Sequence, residues 1–545
     1  MHRSRTGRSA PIVGHGGRLT VLMAVVVAVL SGYGIASAGS QAVAAAAAQV
    51  QADFNGDGLA DLAIGVPNED VGTAAGAGVV QVLYSNSVGL TGTGSQLFQQ
   101  GAGGLGGTPE AGDGFGLVLS TGDFNGDGRT DLAIGVPFED VGTVDTAGVV
   151  HVLYGGTSGL TGIGSQVLQQ GAGGLSETPH AGDLFGEALA AGDFNGDGRA
   201  DLAIGAPGEV RAGREHAGAV QVLRGTSTGL TGMPALYQQG NNGVGDFPEA
   251  GDLFGYKLAA ADFNGDARAD LAIGLYAEDV GDDPLQDSGQ VHVLYGSPTG
   301  LVGTGSQVFR QGTGGLLGVP QPGDYFGRSL AAGDYNGDGH ADLAVGVPFQ
   351  FVGGSDGAGE VQVLYGGTGG LSGNGDQLFT QATDGVLGDP EADDGFGLAL
   401  AAGDFDADGR ADLAIGVPFE HIDGFQDAGV VQVLYGSASG VATPRNQLIR
   451  QGSNETPGTP EDFDYFGWAL TAGRFNAGLE WDLAVSVIGD TVGSVDSAGS
   501  VYAFHGSSVA LLTGPNTRVF NQATGGVAGT PETSDSFGWA VASSG

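Results

Sequence analysis

The stretch Asp53-Phe54-Asn55-Gly56-Asp57-Gly58 decides the fold, because close copies of it return at a regular interval along the chain. Five further copies start at Asp123, Asp193, Asp262, Asp334 and Asp404, and a degraded seventh copy starts at Arg474. Successive starts lie 70, 70, 69, 72, 70 and 70 residues apart, and a Phe-Gly pair recurs in step with them, at Phe115, Phe185, Phe254, Phe326, Phe396, Phe466 and Phe537. Self-similarity at a fixed period indicates a repeat architecture of seven units.

Within one unit the apolar residues alternate with a period of two, which predicts short strands. In the second unit we expect strands over 115–119, 131–137, 149–154 and 166–169. No stretch keeps a helical period of 3.6 residues, so helix should be nearly absent. Four strands in each of seven units predict an all-β protein, a seven-bladed β-propeller of four-stranded blades, with an open solenoid as the alternative.

The two ends of the repeat region favour a closed ring. The first unit opens at the Asp53 loop without a Phe-Gly strand before it, and the last Phe-Gly strand, over 537–541, follows the seventh unit. An open solenoid needs polar caps, whereas a ring can complete one blade with strands from both ends of the chain. We therefore expect residues 537–543 to pair beside the strand over 61–66 and close the ring.

The first residues have the layout of an export signal. Arg3, Arg5, Arg8 and Arg18 precede an apolar run over 19–30, and Ala36-Ser37-Ala38 offers a cleavage site. About a dozen apolar residues are too few to span a membrane, which takes about 20. We expect a secretory signal peptide over 1–38, a linker over 39–51 and the propeller over 52–545. The mature chain should be a secreted, extracellular monomer without membrane insertion.

The composition excludes several classes of protein. The chain has 545 residues, with 61 Asp and Glu against 18 Lys and Arg, a formal charge of −43 and no Cys. Such an acidic surface repels phosphate backbones and anionic lipid, so we expect no nucleic-acid partner. Without Cys there is no disulfide, thiolate nucleophile or zinc–thiolate site.

The repeated loop has the ligand pattern of a cation site. Its sequence Asp-x-Asn-x-Asp-Gly-x-x-Asp places oxygen donors at positions 1, 3, 5 and 9, and position 7 can add a backbone carbonyl. Such a set favours Ca²⁺, which takes six to eight oxygens, over Mg²⁺, which keeps several waters. An EF-hand is excluded, because its position 12 is a Glu before a helix, whereas Ile64 of an expected strand stands there. A single copy would suit an ordinary Asx turn, but six near-identical copies favour a ligand set.

We therefore expect about six Ca²⁺ sites, with the position-7 residue acting through its carbonyl only. The expected ligands are Asp53, Asn55, Asp57, Leu59 and Asp61; Asp123, Asn125, Asp127, Arg129 and Asp131; Asp193, Asn195, Asp197, Arg199 and Asp201; Asp262, Asn264, Asp266, Arg268 and Asp270; Asp334, Asn336, Asp338, His340 and Asp342; and Asp404, Asp406, Asp408, Arg410 and Asp412.

Three of the copies depart from the pattern. Ala267 replaces the Gly at position 6 of the fourth loop, which should strain its turn, and Asp406 adds a carboxylate at position 3 of the sixth. The seventh copy has Arg474 at position 1 and Gly478 at position 5. We expect its guanidinium to lie where a cation would bind and predict no metal there.

The Phe-Gly pairs, the Asp-Phe-Asn-Gly-Asp-Gly loops and Gly-Ala-Pro or Gly-Val-Pro triplets such as Gly205-Ala206-Pro207 resemble the FG-GAP repeats of the integrin α-subunit propeller. The resemblance covers essentially all of 52–545, and related repeats occur in secreted bacterial proteins. It implies seven blades, with Ca²⁺ in the loops between first and second strands, on one face of the disc. In that family the propeller takes part in cell adhesion, whereas no leg-like domain is identified in this sequence.

Two features of the sequence are relevant to whether the protein is an enzyme, a G-x-S-x-G stretch and the set of His residues. Gly225-Thr226-Ser227-Thr228-Gly229 matches the G-x-S-x-G of serine hydrolases, but a nucleophile elbow needs a strand-to-helix turn, and a hairpin turn is expected here. The nine His form no His-Glu-x-x-His motif. We therefore predict no catalytic residue and no enzyme. The alternatives are a propeller hydrolase or lyase with a site at the central channel, and a purely structural envelope protein.

The function predicted from the sequence is a binding or adhesion module for an extracellular protein or glycan. Acidic loops on the face away from the expected metals carry Glu69-Asp70, Glu139-Asp140 and Glu278-Asp279, and Pro-Glu pairs add Glu110, Glu249, Glu391 and Glu461. These residues are either solvated turns or an acidic face for a basic protein patch or, through bridging cations, a glycan.

Overall fold

The computed structural model describes residues 52–175, 177–279, 286–453, 456–508, 512 and 516–543. The expected signal peptide over 1–38 and linker over 39–51 lie outside these residues. The described residues form 28 strands and no α-helix, and thus no helix that could cross a membrane. The strands are β1 (Leu62–Val66), β2 (Val79–Asn86), β3 (Gly89–Phe98), β4 (Val118–Gly122), β5 (Asp131–Val136), β6 (Val149–Tyr154), β7 (Thr161–Leu168), β8 (Ala188–Gly192), β9 (Asp201–Ala206), β10 (Ala219–Thr226), β11 (Gly229–Tyr237), β12 (Lys257–Ala261), β13 (Asp270–Leu275), β14 (Gln290–Tyr295), β15 (Val302–Phe309), β16 (Ser329–Gly333), β17 (Asp342–Val347), β18 (Glu360–Tyr365), β19 (Ser372–Phe379), β20 (Ala399–Gly403), β21 (Asp412–Val417), β22 (Val430–Ser437), β23 (Gly440–Ile449), β24 (Phe466–Gly473), β25 (Asp482–Val487), β26 (Ser500–Phe504), β27 (Arg518–Phe520) and β28 (Ala540–Ala542).

These strands form seven antiparallel sheets of four, which confirms the predicted seven-bladed propeller. Blade 1 is β28-β1-β2-β3, and blades 2 to 7 take the remaining strands four at a time in chain order. The predicted closure is also confirmed, because β28 pairs with β1 and places Val541 opposite Ile64 and Ala542 opposite Ala63. The first strand of each blade contacts the first strands of both neighbouring blades in a closed circuit of seven, so these inner strands surround the axis of the ring.

The hydrophobic core lies between neighbouring blades. Second strands such as β5 are buried along their whole length, which explains their nearly continuous apolar sequence. Phe115 is fully buried in a cluster that combines Val80 and Phe98 of blade 1 with Leu119 and Ile134 of blade 2. The Phe of each Phe-Gly pair therefore fills the wedge between two blades, as the sequence predicts.

Two strands of blade 2 have bounds that differ from the expected ones. The inner strand begins at Val118 rather than at residue 115, because the backbone N–H of Phe115 bonds to the preceding blade. The backbone N–H of each such Phe donates to a carbonyl just before the third strand of the preceding blade. The seven pairs are Phe115 to Ala77, Phe185 to Ala147, Phe254 to Ala217, Phe326 to Ser288, Phe396 to Ala358, Phe466 to Ala428 and Phe537 to Ala498. The outer strand β7 begins at Thr161, five residues before the expected start. Its first half is partly exposed and carries no apolar alternation, so the sequence pattern did not indicate it.

A glycine beside each of these carbonyls makes the contact between blades possible. A Cβ added to Gly78 would lie 2.4 Å from the carbonyl oxygen and 2.5 Å from the amide nitrogen of Phe115, and the φ of Gly78 is +84°. No side chain fits at that distance from backbone atoms. The Ala-Gly or Ser-Gly pair before the third strand is therefore a structural partner of Phe-Gly, a role that sequence reasoning missed.

Candidate metal centres in the repeat loops

Six of the seven repeat loops join the inner strand of a blade to its second strand, and the first loop leads into β1. Together they define one face of the ring, here called the loop face. In the first loop Asp53 Oδ1 accepts hydrogen bonds from the N–H groups of Gly56 (2.6 Å) and Asp57 (2.9 Å), and Asp53 Oδ2 accepts one from Gly58 (2.8 Å). The loop is thus folded around the position-1 carboxylate. The predicted strain at Ala267 is present, since this residue adopts a φ of +66°.

The carboxylate at position 9 fixes each loop to its blade. Asp61 Oδ2 accepts from the N–H of Phe54 (3.1 Å), and Asp61 Oδ1 accepts from the N–H of Ser85 near the end of the third strand (2.9 Å). The equivalent donors to the other position-9 carboxylates are Gly155, Gly225, Gly296, Gly366, Gly436 and Gly506. Because this carboxylate is the same in all seven loops, each blade positions its loop in the same way.

The position-9 carboxylates are buried beside other carboxylates, an arrangement that a cation would stabilise. Burial, together with the charges of Asp57 and Asp53, raises the pKa of Asp61 to about 8. Burial likewise raises the pKa of Asp131, Asp270, Asp342 and Asp412 to about 8. Taking a carboxylate out of water is unfavourable unless a positive charge or a metal compensates it.

Several oxygens in the loops fit a hard cation. In the sixth loop one oxygen each of Asp404, Asp406 and Asp412, at positions 1, 3 and 9, lies within 4.8 Å of the others. The buried Oδ1 atoms of Asp406 and of Asn55, at position 3 of the first loop, have no hydrogen-bond partner among the described residues. Buried acceptors of this kind normally have a partner. The donors are all oxygens, which suits Ca²⁺ and not a metal that prefers nitrogen or sulfur.

The third loop has an amide where a cation would bind. Asn195 Nδ2 donates to both carboxylate oxygens of Asp201, at 3.1 and 2.9 Å. Burial raises the pKa of Asp201 to about 6, and the hydrogen bonds from Gly225 and Asn195 oppose this rise. Turning the amide over would present Asn195 Oδ1 to the same space. The expected set of positions 1, 3 and 9 is therefore present, with position 3 in its donor orientation.

The side chains at position 7 have a role that the sequence analysis did not assign. In five loops an Arg or His at this position pairs with the position-5 carboxylate of its own loop. The pairs are Arg129–Asp127 (3.5 Å), Arg199–Asp197 (3.7 Å), Arg268–Asp266 (2.9 Å), His340–Asp338 (3.1 Å) and Arg410–Asp408 (3.0 Å). These pairs are partly exposed and therefore weak, so they leave the position-5 oxygen available to a competing cation. Leu59 of the first loop makes no such pair.

Neighbouring loops are joined to one another around the ring. The N–H at position 8 of each loop donates to the position-1 carbonyl of the preceding loop. The pairs are Ala60 to Arg474, Thr130 to Asp53, Ala200 to Asp123, Ala269 to Asp193, Ala341 to Asp262, Ala411 to Asp334 and Trp481 to Asp404. The Arg129 side chain also lies against Gly56 of the preceding loop, where an added Cβ would be 3.1 Å from its Nε.

The seventh loop is held by different contacts. The Arg474 guanidinium donates to the Gly478 carbonyl within the loop (2.8 Å). As in the third loop, the position-9 carboxylate, here Asp482, accepts from the position-3 amide, Asn476 Nδ2. In this loop alone, among the described residues, the position-9 carboxylate also lies 3.2 Å from a His, through Nδ1 of His505. His505 occupies the position at which five of the other blades have a Tyr, such as Tyr154. This difference in residue type is the one sign in the sequence that His505 has a separate role.

The G-x-S-x-G stretch is a hairpin turn, as expected. Ser227 and Thr228 are exposed between β10 and β11, and Thr226 Oγ1 donates to the Gly229 carbonyl (2.7 Å). No helix follows Ser227 in the part of the chain that the structure describes. The stretch is thus not a nucleophile elbow.

Comparisons with known proteins agree with this architecture. Six segments match the FG-GAP repeat family, over residues 50–83, 115–153, 185–223, 254–294, 326–364 and 396–434. The phosphatidylinositol-glycan-specific phospholipase D of Bos taurus is 33% identical over 184 residues, which are 34% of this chain and 21% of the relative. Integrin alpha-5 of Xenopus laevis is 31% identical over 241 residues, which are 43% of this chain and 20% of the relative. The chain thus matches about a fifth of the length of these relatives.

A solved structure of similar outline is the periplasmic gluconolactonase of Pseudomonas aeruginosa, with a TM-score of 0.42, 14% identity and coverage of 89% of this chain and 99% of that one. A likeness this loose supports no argument about function. The ring of seven four-stranded blades defines the class, a seven-bladed β-propeller. With the six repeat matches and the similarity to integrin α chains, the protein is an FG-GAP repeat protein with an integrin-α-like propeller.

Proposed function

We propose that this protein is a secreted, calcium-binding FG-GAP propeller that acts as a binding or adhesion module for an extracellular protein or glycan, and that it is not an enzyme. The observation that carries the proposal is the grouping of Asp404, Asp406 and Asp412 at one point of a loop that recurs around the ring. Similarity to integrin α chains supports the binding role. The hairpin turn at Ser227 removes the motif that would have supported a hydrolase.

Calcium in the loops would be structural. Bound Ca²⁺ would neutralise carboxylates such as Asp61 and Asp412, which the fold buries beside other acids. Sites of extracellular affinity, with Kd of about 10⁻⁴ to 10⁻³ M, would each stabilise the fold by about 0.4 to 1.4 kcal/mol at millimolar calcium. Six such sites would add about 2 to 8 kcal/mol, which is comparable with the total stability of an ordinary domain.

Calorimetric titration of chelator-treated protein with Ca²⁺ tests the metal part of the proposal. We expect about six sites and a melting temperature that falls by about 2 to 8 °C when calcium is removed. Mg²⁺ at the same concentration should restore little of the loss. Two or fewer sites, or a melting temperature that chelator does not change, would contradict the proposal.

The candidate binding surface is the face opposite the loop face, and it is less acidic than the sequence suggests. Glu139 of the Glu139-Asp140 pair points inward, where its carboxylate accepts from Gln100 Nε2 of the preceding blade (2.7 Å). Glu69 and Glu278 accept from Gln522 (2.6 Å) and Gln239 (2.8 Å) in the same way. Among the acids that the sequence singles out, Asp70, Asp140, Asp279, Glu110, Glu249, Glu391 and Glu461 are exposed on this face.

Pull-down and glycan-array experiments in calcium test the binding part of the proposal. The probes are the full chain and a variant in which Glu110, Glu249, Glu391 and Glu461 are replaced by Gln. A basic partner, or a glycan held through bridging cations, should bind the variant more weakly. The matched control is Glu139→Gln, whose side chain is turned inward. If neither screen yields a ligand, the protein is a structural envelope component instead.

A further inference from the structure

A group of three polar side chains, here called a junction trio, recurs between neighbouring blades on the face opposite the loop face. Its first two members lie in the loop before an inner strand, and the third lies in the loop after the second strand of the same blade. In every trio the backbone N–H of the first residue donates to Oδ2 of an Asp three positions later. The trios are Glu532-Asp535-Glu69, Glu110-Asp113-Glu139, His180-Asp183-Glu209, Glu249-Asp252-Glu278, Gln321-Asp324-Gln350, Glu391-Asp394-Glu420 and Glu461-Asp464-Asp490. His180 is the one imidazole in this set.

The His180 trio brings its three side chains to one point. One ligand atom each of His180, Asp183 and Glu209 lies within 4.8 Å of the others, and no other junction trio in the described residues does this. His180 Nδ1 lies 3.6 Å from Asp183 Oδ2, which is too long for a hydrogen bond. Nitrogen and oxygen ligands about 2.0 to 2.2 Å from a tetrahedral Zn²⁺ are roughly 3.3 to 3.6 Å from one another. The separation therefore fits two ligands of one metal ion.

Both carboxylates of this trio are buried, whereas the imidazole is on the surface. Asp183 and Glu209 are 0% and 1% exposed, and the His180 side chain is 60% exposed. Asp183 Oδ1 has no hydrogen-bond partner among the described residues, although a buried acceptor normally has one. The same atom of Asp394 and Asp464 also lacks a partner, but no third ligand approaches those carboxylates. Because its side chain is exposed, His180 can close on an ion from solvent without disturbing the core.

A glycine lets the loop that carries Glu209 approach Asp183. The N–H of Gly208 donates to the Asp183 carbonyl (3.1 Å), so the two loops of the trio are joined through their backbones. A Cβ added to Gly208 would lie 1.8 Å from the Gly182 carbonyl oxygen, which no side chain allows. Blade 2 has Phe138 at this position, and of the other blades only blade 7 has a Gly there, in a trio without His. The close approach of the loops and the imidazole thus occur together in one blade.

The charged groups around the His180 trio have an excess of negative charge. Arg211, where the other six blades have Val or Ile, places Nη2 3.1 Å from Glu209 Oε1 and Nη1 3.0 Å from Glu177 Oε2. Gln170 Nε2 donates to the other oxygen of Glu209 (2.5 Å), so this carboxylate is held in one orientation. When all are ionised, the carboxylates of Asp183, Glu209 and Glu177 against one guanidinium leave two negative charges. A divalent cation would cancel them, and buried carboxylates require such compensation.

We propose that His180, Asp183 and Glu209 bind one divalent transition-metal ion of the Zn²⁺ type on the face opposite the loop face. An imidazole nitrogen combined with two carboxylates suits Zn²⁺, whereas Ca²⁺ takes oxygen ligands. Three protein ligands leave a coordination position open. Because His180 is exposed, this position faces solvent on the candidate binding surface. The site is separate from the repeat loops and does not depend on calcium there.

Calorimetric titration of the full chain with Zn²⁺ tests this site. Millimolar Ca²⁺ is present throughout, so that it competes for the repeat loops, and we expect one Zn²⁺ per chain. His180→Gln should weaken binding about tenfold or more, because even the loss of an outer-shell partner costs a metal site about 10- to 100-fold in affinity. Glu209→Gln should weaken it by a similar factor. Gln350 at the equivalent position of blade 5 shows that the fold accepts Gln there.

The matched control is His421→Gln, which removes another exposed His of the same face. His421 Nδ1 lies 3.6 Å from one carboxylate oxygen, Asp427 Oδ1, without a converging trio, so this variant should bind Zn²⁺ as the unaltered chain does. Absence of Zn²⁺ binding, or affinity that His180→Gln leaves unchanged, would overturn the proposal, while the calcium sites and the binding function would stand. Equal losses in His180→Gln and His421→Gln would also overturn it, because they would indicate adventitious binding to surface imidazoles. Melting temperatures within a few degrees of the unaltered chain establish that the variants are folded.

Discussion

Glu139 and Gln350 occupy equivalent positions in blades 2 and 5 and make the same contact. Gln100 Nε2 donates to Glu139 at 2.7 Å, and Gln311 Nε2 donates to Gln350 Oε1 at 2.8 Å. Only the Glu can ionise. Burial, together with the charges of Asp113 and Glu110, raises the pKa of Glu139 to about 7. The fold thus accepts a neutral side chain at this position and disfavours a charged one.

Glu139→Gln should therefore stabilise the protein at pH 8. A raised pKa in the folded state means that protonation of Glu139 contributes stability below its unfolded pKa of about 4.5, and that this contribution is lost as the pH rises through about 7. The substitution removes that loss, and we expect a gain of about 1 to 3 kcal/mol at pH 8 and little change at pH 4.5. Denaturant unfolding in chelator at both pH values measures it.

The reverse substitution, Gln350→Glu, is the matched control for this prediction. It should cost stability at pH 8 and not at pH 4.5, because it places a second carboxyl near Glu360, which also accepts from Gln311 (3.1 Å). If either substitution changes the stability by the same amount at pH 8 and at pH 4.5, ionisation of the carboxyl is not the cause of the change.

The side chain at position 7 is the part of the repeat loop that differs most between the first loop and the others. Arg129 pairs with Asp127 of its own loop and lies on Gly56 of the preceding one, whereas the first loop has Leu59 at this position. A guanidinium on the position-5 carboxylate competes with a metal for the same oxygen. We infer that Arg at position 7 lowers the calcium affinity of its loop.

Arg129→Leu should raise the calcium affinity of the second loop about two- to fivefold, which corresponds to the loss of a weak surface ion pair. Leu59→Arg should lower the affinity of the first loop by a similar factor. Calorimetric titration measures both, and Arg129→Lys, which keeps the charge, is the control. A lower affinity in Arg129→Leu would mean that contact with the preceding loop matters more than competition.

The contact between blades gives a second prediction for an element. Gly78→Ala places a Cβ within 2.5 Å of two backbone atoms of Phe115, whereas Gly94 has the same φ of +84° and open space around its Cα. Gly78→Ala should therefore destabilise the protein by about 1 to 3 kcal/mol more than Gly94→Ala does. The difference in unfolding free energy between the two variants separates the steric overlap with Phe115 from the backbone strain that both variants share. Equal losses of stability in Gly78→Ala and Gly94→Ala would show that the blades can move apart.

The sequence predicted those structural features in which the same residue type has the same role in every blade. Equivalents of Phe115 and Asp61 occur in every blade, so the packing of Phe between blades and the position of the repeat loop could be predicted from the sequence. Gly78 recurs too, but its partner Phe115 belongs to the next blade, and spacing alone does not identify a contact between blades. The residue that follows each Phe-Gly pair, such as Glu187 or Trp468, could not be given a role from the sequence, because its type changes from blade to blade.

The whole molecule depends on the pairing of β28 with β1. A chain that ends at Ser536 lacks Phe537 and β28, so blade 1 loses its inner strand and blade 7 loses the hydrogen bond from Phe537 to Ala498. We expect its thermal unfolding to be broad and non-cooperative. Removal of residues 544–545 alone is the control and should leave a single sharp transition. An unchanged transition in the chain that ends at Ser536 would mean that the closure is dispensable.

The closure also sets the order in which the molecule can be completed during synthesis. Blade 1 is begun first, yet it lacks its inner strand until residues 540–542 have been made. Until then β1 keeps an unpaired edge, which neighbouring chains can extend by strand addition. The oldest part of a nascent chain is thus its last part to mature, and a ribosome that stops early releases a product with an exposed adhesive edge.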